Sequence, residues 1–298
     1  MKSIFIYNPN SGNGKILKYL TYIKKELESV YDVVDIYESK SAQDIEDTVK
    51  KASEIYDRII FAGGDGTFNN VACGISSCDK RPPLGYIPVG TACDIAGNLG
   101  ISKNVKKALK VIKEDYFVKH DVGMINDRYF MYVVCIGACT GTSYTTRQEA
   151  KKILGKFAYI KDGIDEFLNT PLKRVKIKCE NGTVETTVPL LLIMNTYSVG
   201  GIPFNRNCKL NDGKFDIVLI NNGTGKGRWN IISYFIRGLL RLKKTTNAIS
   251  LEGNKIDVEV EDDLTWCVDG ERGPKGHVSI KNLHNHLTII APSPKKKK

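Results

Sequence analysis

The sequence predicts an α/β domain built on a doubly wound parallel sheet, followed by an antiparallel β-sandwich. Three observations carry that expectation. As far as about residue 120, short β-branched and aromatic runs alternate with runs of helical periodicity, the grammar of parallel strands joined by crossover helices. Glycine-rich turns stand where those runs end, and ligands of open α/β sheets lie beyond the carboxyl ends of the strands. After Asp121 the helices give way to many strand-like runs separated by Asn-Gly and Asp-Gly, the turn chemistry of hairpins.

The first run, "SIFIYNP", ends in Asn-Pro and the turn "NSGNGK", and a helix follows with Ile16, Leu17, Leu20, Ile23 and Leu27 on one stripe. "DVVDIYES" reads as a second strand, Ala42 to Glu54 as a helix carrying Ile45 and Val49, and "DRIIFAGG" as a third strand. "TFNNVACGI" opens another helix, and "PLGYIPVG" is a fourth strand ending in the polar turn "TACD". Beyond Asp121 the strands are "RYFMYVVCIGA", "RVKIKCE", "VETTVPLLLIMN", "FDIVLIN", "KIDVEVED", "LTWCVDGE", "HVSIKN" and "LTIIAP". Two helical insertions interrupt them, Arg147 to Leu168 and Trp229 to Leu242. The expected division is 1–120 for the α/β domain, 121–292 for the sandwich and 293–298 for a basic tail, with the boundary near Val118 to Gly123.

Composition bounds the function. With 298 residues, 42% hydrophobic and 26% charged, the chain has an ordinary globular balance and length enough for two cores. Its longest apolar runs fall short of the roughly 18 residues of a spanning helix, and the N-terminal run is too short for a signal-peptide core, so a cytoplasmic protein is expected. Eight cysteines without metal spacing read as mostly buried thiols in a reducing compartment. The four histidines show no metal spacing either, and His284 and His286 are expected at the surface beside a turn. A net charge of +11 favours an anionic partner: nucleotide, nucleic acid or acidic lipid.

Three turns carry chemistry. "NPNSGNGK", Asn8 to Lys15, is suited to cradle phosphate with backbone N–H groups, although Ile16 after Lys15 excludes a P-loop and such residues also form ordinary turns. "GGDGT", Gly63 to Thr67, holds more glycine than a tight turn capped by Thr67 requires. "PVGTACD", Pro88 to Asp94, places a further Gly-Thr at a strand end. Loops from three strands of one sheet would converge on one crevice. Near the C-terminus, "VDGE" reads either as a type I turn or as a pair of functional carboxylates.

Asn8-Pro9 with Ser11-Gly12, then Gly63 to Thr67, then Gly90-Thr91 with Asp94, resemble the diacylglycerol kinase catalytic domain family, which includes bacterial lipid kinases and sphingosine kinases. The resemblance continues through Asp212-Gly213, Asp216 and Asp269-Gly270-Glu271, so it covers nearly the whole chain. It implies an ATP-dependent lipid kinase, with Asn8, Ser11, Gly12, Ser39, Gly63, Gly64, Asp65, Gly66, Thr67, Asn69 and Thr91 around the nucleotide. It further implies Glu271 as the base that deprotonates the lipid hydroxyl, Asp269 as its neighbour, and Asp65 as a third catalytic carboxylate. Mg²⁺ would be held by Asp212 with the carbonyls of Lys209 and Lys214. Two departures stand out: Cys93 where the family usually has Asn, and Ser39 where it often has Thr.

The implied partner is diacylglycerol or a related lipid at an anionic membrane surface, with no nucleic acid. Gly225 to Lys244 sets Ile231, Ile232, Phe235, Ile236, Leu239 and Leu240 among arginines and lysines, which suits an interfacial helix or a helix packed on the sandwich. The tail Lys295 to Lys298 would add attraction to anionic lipid or simply be solvated, and Tyr144 and Tyr159 would line a lipid entrance or pack in the core. An NAD kinase shares a GGDGT-like loop but is disfavoured by "NPNSGNGK" and "VDGE"; a silent nucleotide- or lipid-binding regulator is argued for by Cys93 alone. The sequence leaves open which lipid is used and whether the protein is a monomer or a homodimer.

Overall fold

A computed structural model of the chain describes residues 1–137, 172–198, 205, 208–220 and 248–294. The expected insertions at Arg147 to Leu168 and Trp229 to Leu242, the wider segment Gly225 to Lys244, Tyr144, Tyr159 and the lysine tail lie outside the described residues. The chain forms two compact units: Met1–Val122, Leu210–Asp212 and Leu283–Lys298 in the first, Gly123–Lys209 and Gly213–Asn282 in the second.

The first unit is a parallel sheet with helices. β1 (Lys2–Tyr7), β2 (Val33–Glu38), β3 (Arg58–Gly63) and β4 (Leu84–Pro88) lie in the order β2–β1–β3–β4. The end of the C-terminal strand pairs parallel with β4, Ile289 opposite Leu84. The central strands are buried along their length, which is why they read as continuous rather than alternating apolar runs. β2 is the edge, and Val33 and Ile36 on it are exposed.

The helices are α1 (Leu20–Glu28), α2 (Ala42–Ile55), α3 (Asp65–Ser76), α4 (Asp94–Asn98) and α5 (Val105–Glu114). A 3₁₀ turn, Lys15–Tyr19, precedes α1 and rotates Leu17 out of the expected stripe into solvent, while Ile16, Ile23 and Leu27 are buried. α2 starts at Ser41, whose Oγ accepts from the Asp44 N–H, while the Asp44 carboxylate accepts from the Lys40 N–H, a reciprocal capping arrangement. α5 was not expected from the sequence, although Val105, Ala108, Leu109 and Ile112 recur at helical spacing and Asn104 caps it.

The second unit is the expected sandwich. Its strands begin within β5 (Phe117–Ile125) and continue with β6 (Arg128–Phe130), β7 (Val133–Gly137), β8 (Lys173–Cys179), β9 (Gly182–Val188) and β10 (Leu190–Met194). Then come β11 (Phe215–Ile220), β12 (Ala248–Gly253), β13 (Lys255–Glu259), β14 (Thr265–Val268), β15 (Glu271–Lys275) and β16 (Val278–Ile290). One antiparallel sheet runs β12–β11–β10–β7–β14–β15; in the other, β13 pairs with β16 and β8, and β8 with β9. Ile136, Leu191, Ile193, Ile217 and Trp266 from the first sheet share a buried core with Val175, Ile177, Ile256 and Ile280 from the second. Among the described residues no helix is long and apolar enough to cross a membrane.

Several strand boundaries differ from expectation for local reasons. Pro189 lacks an N–H and divides "VETTVPLLLIMN" into β9 and β10. "RYFMYVVCIGA" breaks at Met131 and Tyr132, whose N–H groups leave the ladder for a carboxylate described below. "HVSIKN" and "LTIIAP" are one strand, β16, which passes through Asn285 at φ +54°. His284 and His286 therefore lie within a strand rather than beside a turn: His284 Nδ1 pairs with the buried Asp121 at 3.2 Å, and His286 is half-buried against the Ser76 carbonyl. Of the seven described cysteines only Cys93, Cys135 and Cys267 are buried, fewer than composition suggested.

Candidate active site

β1 lies between β2 and β3, so the chain departs to opposite sides of it, and the strand ends at such a switch point bound a crevice. A cavity of about 410 Å³ opens there. Asn8, Asn10, Ser11 and Gly12 line it from the loop after β1, and Ser39 to Ala42 with Ile45 from the loop after β2 and α2. Gly64, Gly66, Thr67 and Asn70 line it from the start of α3, and Gly90 and Thr91 from the loop after β4. The three sequence motifs therefore share one cavity inside the first unit.

Hydrogen bonds shape the walls. Asn8 Oδ1 accepts from the Asn10 N–H at 2.9 Å and closes the first turn. Ser39 is buried, its Oγ donating to the Tyr7 carbonyl at 3.1 Å, which ties the second loop to the first. Lys103 Nζ donates to the Thr91 carbonyl at 2.9 Å.

The glycines of GGDGT have different reasons. A Cβ on Gly63 would lie 2.2 Å from Thr67 Cβ, and one on Gly90 would lie 2.5 Å from Gly64 Cα, so these positions are small because the protein packs against itself. A Cβ on Gly66 would meet nothing within 4 Å, yet glycine costs a helix interior about 1 kcal/mol. Gly66 is exposed in the first turn of α3, and it lines the cavity. The N-cap of α3 is Gly64, without a side-chain cap, rather than Thr67, which is buried in the third position of the helix. An uncapped first turn keeps its N–H groups for an anion.

Asp65 is used differently. Its Oδ1 accepts from the Ile95 N–H at 3.1 Å, where α4 starts. Burial pushes its carboxyl up, against the N–H groups of Ile95, Asp94 and Cys93 that favour the charged form. Gly63, Asp65 and Asn69 are not among the residues lining the cavity; the buried Asn69 accepts from the Cys73 thiol at 3.7 Å. Cys93 is buried at φ +51° and is the N-cap of α4, two demands that Asn meets better than Cys. Burial raises its thiol pKa.

In the second unit, "VDGE" joins β14 to β15. Asp269 and Gly270 have φ +50° and +87°, and Val268 is opposite Glu271, which makes the turn type I′ rather than type I. The Asp269 carboxylate accepts from the Met131, Tyr132 and Val133 N–H groups at 2.6, 3.0 and 2.9 Å. Burial outweighs those bonds and pushes its pKa up to about 6. Glu271 is exposed, with one oxygen 2.8 Å from Arg128 Nη2, and Arg128 Nη1 donates to the Arg272 carbonyl.

Asp212 is exposed in the loop before β11, flanked by the exposed Lys209 and Lys214. Asn254 donates to the Gly213 carbonyl at 2.9 Å, and Gly213 has φ +78°. Among the described residues no three His, Cys, Asp or Glu side chains converge on a metal position. One carboxylate with backbone carbonyls and water is nonetheless a hard, all-oxygen set of the kind Mg²⁺ accepts.

The sequence reading did not single out Asn10, Lys40, Ser41, Ala42, Ile45, Asn70 or Gly90 as cavity residues. Helical spacing was an available signal for one of them: Asn70, four residues after Gly66 and three after Thr67, shares their face of α3, whereas Asn69 does not.

A family profile described as the diacylglycerol kinase catalytic domain matches residues 2–125. Over 293 residues the chain is 29% identical to a diacylglycerol kinase of Bacillus subtilis, covering 97% of this chain and 96% of the relative. A diacylglycerol kinase of Staphylococcus aureus is 31% identical over 290 residues, covering 97% and 91%. A crystal structure of a diacylglycerol kinase from Bacillus anthracis superposes with a TM-score of 0.84 at 27% identity, over 98% of this chain and 97% of that one.

Proposed function

This chain belongs to the diacylglycerol kinase family, and from that premise we propose that it transfers the γ-phosphoryl group of ATP to the free hydroxyl of diacylglycerol, forming phosphatidic acid. One observation carries the nucleotide half of this reading: loops from four strand ends line one cavity, into which an uncapped helix start presents a glycine that the protein's own packing does not require. Phosphoryl transfer asks chiefly for positioning and for stabilisation of charge on the transferring group. Backbone donors at Gly66 and Thr67, with Asn8, Ser11, Gly12 and Thr91 around them, supply the positioning and hydrogen bonds to the phosphates.

Glu271 is the base for the acceptor hydroxyl, its carboxylate steered by Arg128. Asp269 is the positioning residue: three N–H bonds fix the type I′ turn from which Glu271 projects. Asp65 likewise positions, by fastening α3 to the start of α4. Asp212 with the carbonyls of Lys209 and Lys214 would hold Mg²⁺. When bound, that ion neutralises charge and orders its loop. The net charge of +11 supports work at an anionic bilayer surface.

The test is transfer of label from γ-labelled ATP with Mg²⁺ to lipids in mixed micelles containing anionic phospholipid, with NAD as a parallel acceptor. Label in phosphatidic acid is the expected result. Label only in NADP would replace the substrate, and intact ATP binding without transfer would make the protein a regulator.

A further inference from the structure

We infer that Lys40 is the phosphate-pairing cation of the cavity and sets its preference for nucleotides with a polyphosphate tail. The inference rests on the reading of that cavity as the ATP site. The chain carries 44 lysines and arginines, yet of the fifteen described residues that line the cavity Lys40 alone is ionised. The other lining groups are glycines, short hydroxyls and amides, with Ala42 and Ile45, and they can donate hydrogen bonds but cannot neutralise three or four negative charges. Lys15, at the end of the first turn, is not among the lining residues, and Lys103 donates its ammonium to the Thr91 carbonyl.

The surroundings of Lys40 hold its backbone and leave its ammonium available. Its N–H donates to Asp44 Oδ2 at 2.8 Å, Tyr37 Oη donates to Asp44 Oδ1 at 2.7 Å, and the Asp44 N–H is taken by Ser41 Oγ. Both oxygens of Asp44 thereby accept a hydrogen bond already, and the Lys40 ammonium feels the charge of that carboxylate without a hydrogen bond or ion pair to it. A clamped Cα with an uncommitted, exposed lysine at a cavity wall is suited to close on an anion when one enters. The exposed position also makes the residue replaceable without a core defect.

Competition for a fluorescent ATP analogue by ATP, ADP and adenosine, on the full chain, tests this in the wild type, Lys40→Met and Lys40→Arg at two salt concentrations. Lys40→Met is expected to weaken ATP and ADP by about tenfold to a hundredfold, as loss of a charge-assisted bond does, and to flatten the salt dependence. Adenosine should stay within about twofold, because it has no charge to pair, and Lys40→Arg should keep most of the ATP affinity. Unchanged ATP affinity in Lys40→Met, or an equal loss for adenosine, overturns the assignment of Lys40. A wild type that fails to bind ATP at all overturns instead the reading of the cavity.

Discussion

Asp-Gly stands in GGDGT of the first unit and in VDGE of the second, and in both the aspartate has the same occupation. Asp65 accepts from the start of α4 and Asp269 from the bend between β6 and β7, so each carboxylate is a clasp between two segments of its own unit. The neighbouring residue is what differs. After Asp65 comes Gly66, open to a cavity; two residues after Asp269 comes Glu271, an exposed carboxylate held by one arginine. A motif's most conspicuous ionisable group can therefore be the one that holds the fold, while the residue left open to the cavity or to solvent stands beside it.

The sharpest break of this comparison is at the second clasp. Asp269→Ala strands three backbone donors and is expected to cost about 3 to 6 kcal/mol, measured by guanidinium unfolding; a loss below about 1 kcal/mol would contradict the clasp. The same carboxyl has a proton-linked signature. Its folded pKa of about 6 lies above the unfolded value, so its contribution is full below about pH 4 and is lost as pH rises through about 6. The stability difference between wild type and Asp269→Asn should therefore move by about 2 kcal/mol between pH 4 and pH 7, the wild type losing ground as pH rises.

Next in size is Glu271→Gln, which should lower kcat by about 10² to 10⁴ while the unfolding midpoint stays in place, because the side chain is exposed. Wild-type turnover in this variant would remove Glu271 from the mechanism. Two glycine variants then separate packing from ligand approach. Gly63→Ala, which drives a methyl into Thr67, should destabilise by about 1 to 3 kcal/mol. Gly66→Ala should do the reverse, gaining up to about 1 kcal/mol of helix stability while ATP binding weakens. Equal stability effects for the pair, seen by thermal unfolding, would erase the distinction drawn between the two positions.

Much of this was legible beforehand because its signals are local. The runs that became β1, β3 and β4 are apolar without alternation since both faces of a parallel strand are covered, and each ends in glycine or a polar turn residue. Ser41 with Asp44, and Asn181-Gly182 at the turn into β9, announce a cap and a hairpin by chemistry alone. α5 carries an equally local signal, with Val105, Ala108, Leu109 and Ile112 at helical spacing behind the Asn104 cap.

What stayed hidden depends on neighbours distant in sequence. That Gly63 is small for Thr67 and Gly66 for the cavity cannot be told from four adjacent letters, because the atoms that decide it come from several strand ends. The order of motifs by itself determined the family, the two kinds of fold and the three loops that meet, since strand and turn preferences act over a few residues. Only the tertiary structure decided which aspartates are clasps, which glycine faces open space and which of 44 cations stands at the cavity wall. A carboxylate's role is set by the donors that reach it, and those donors arrive through folding.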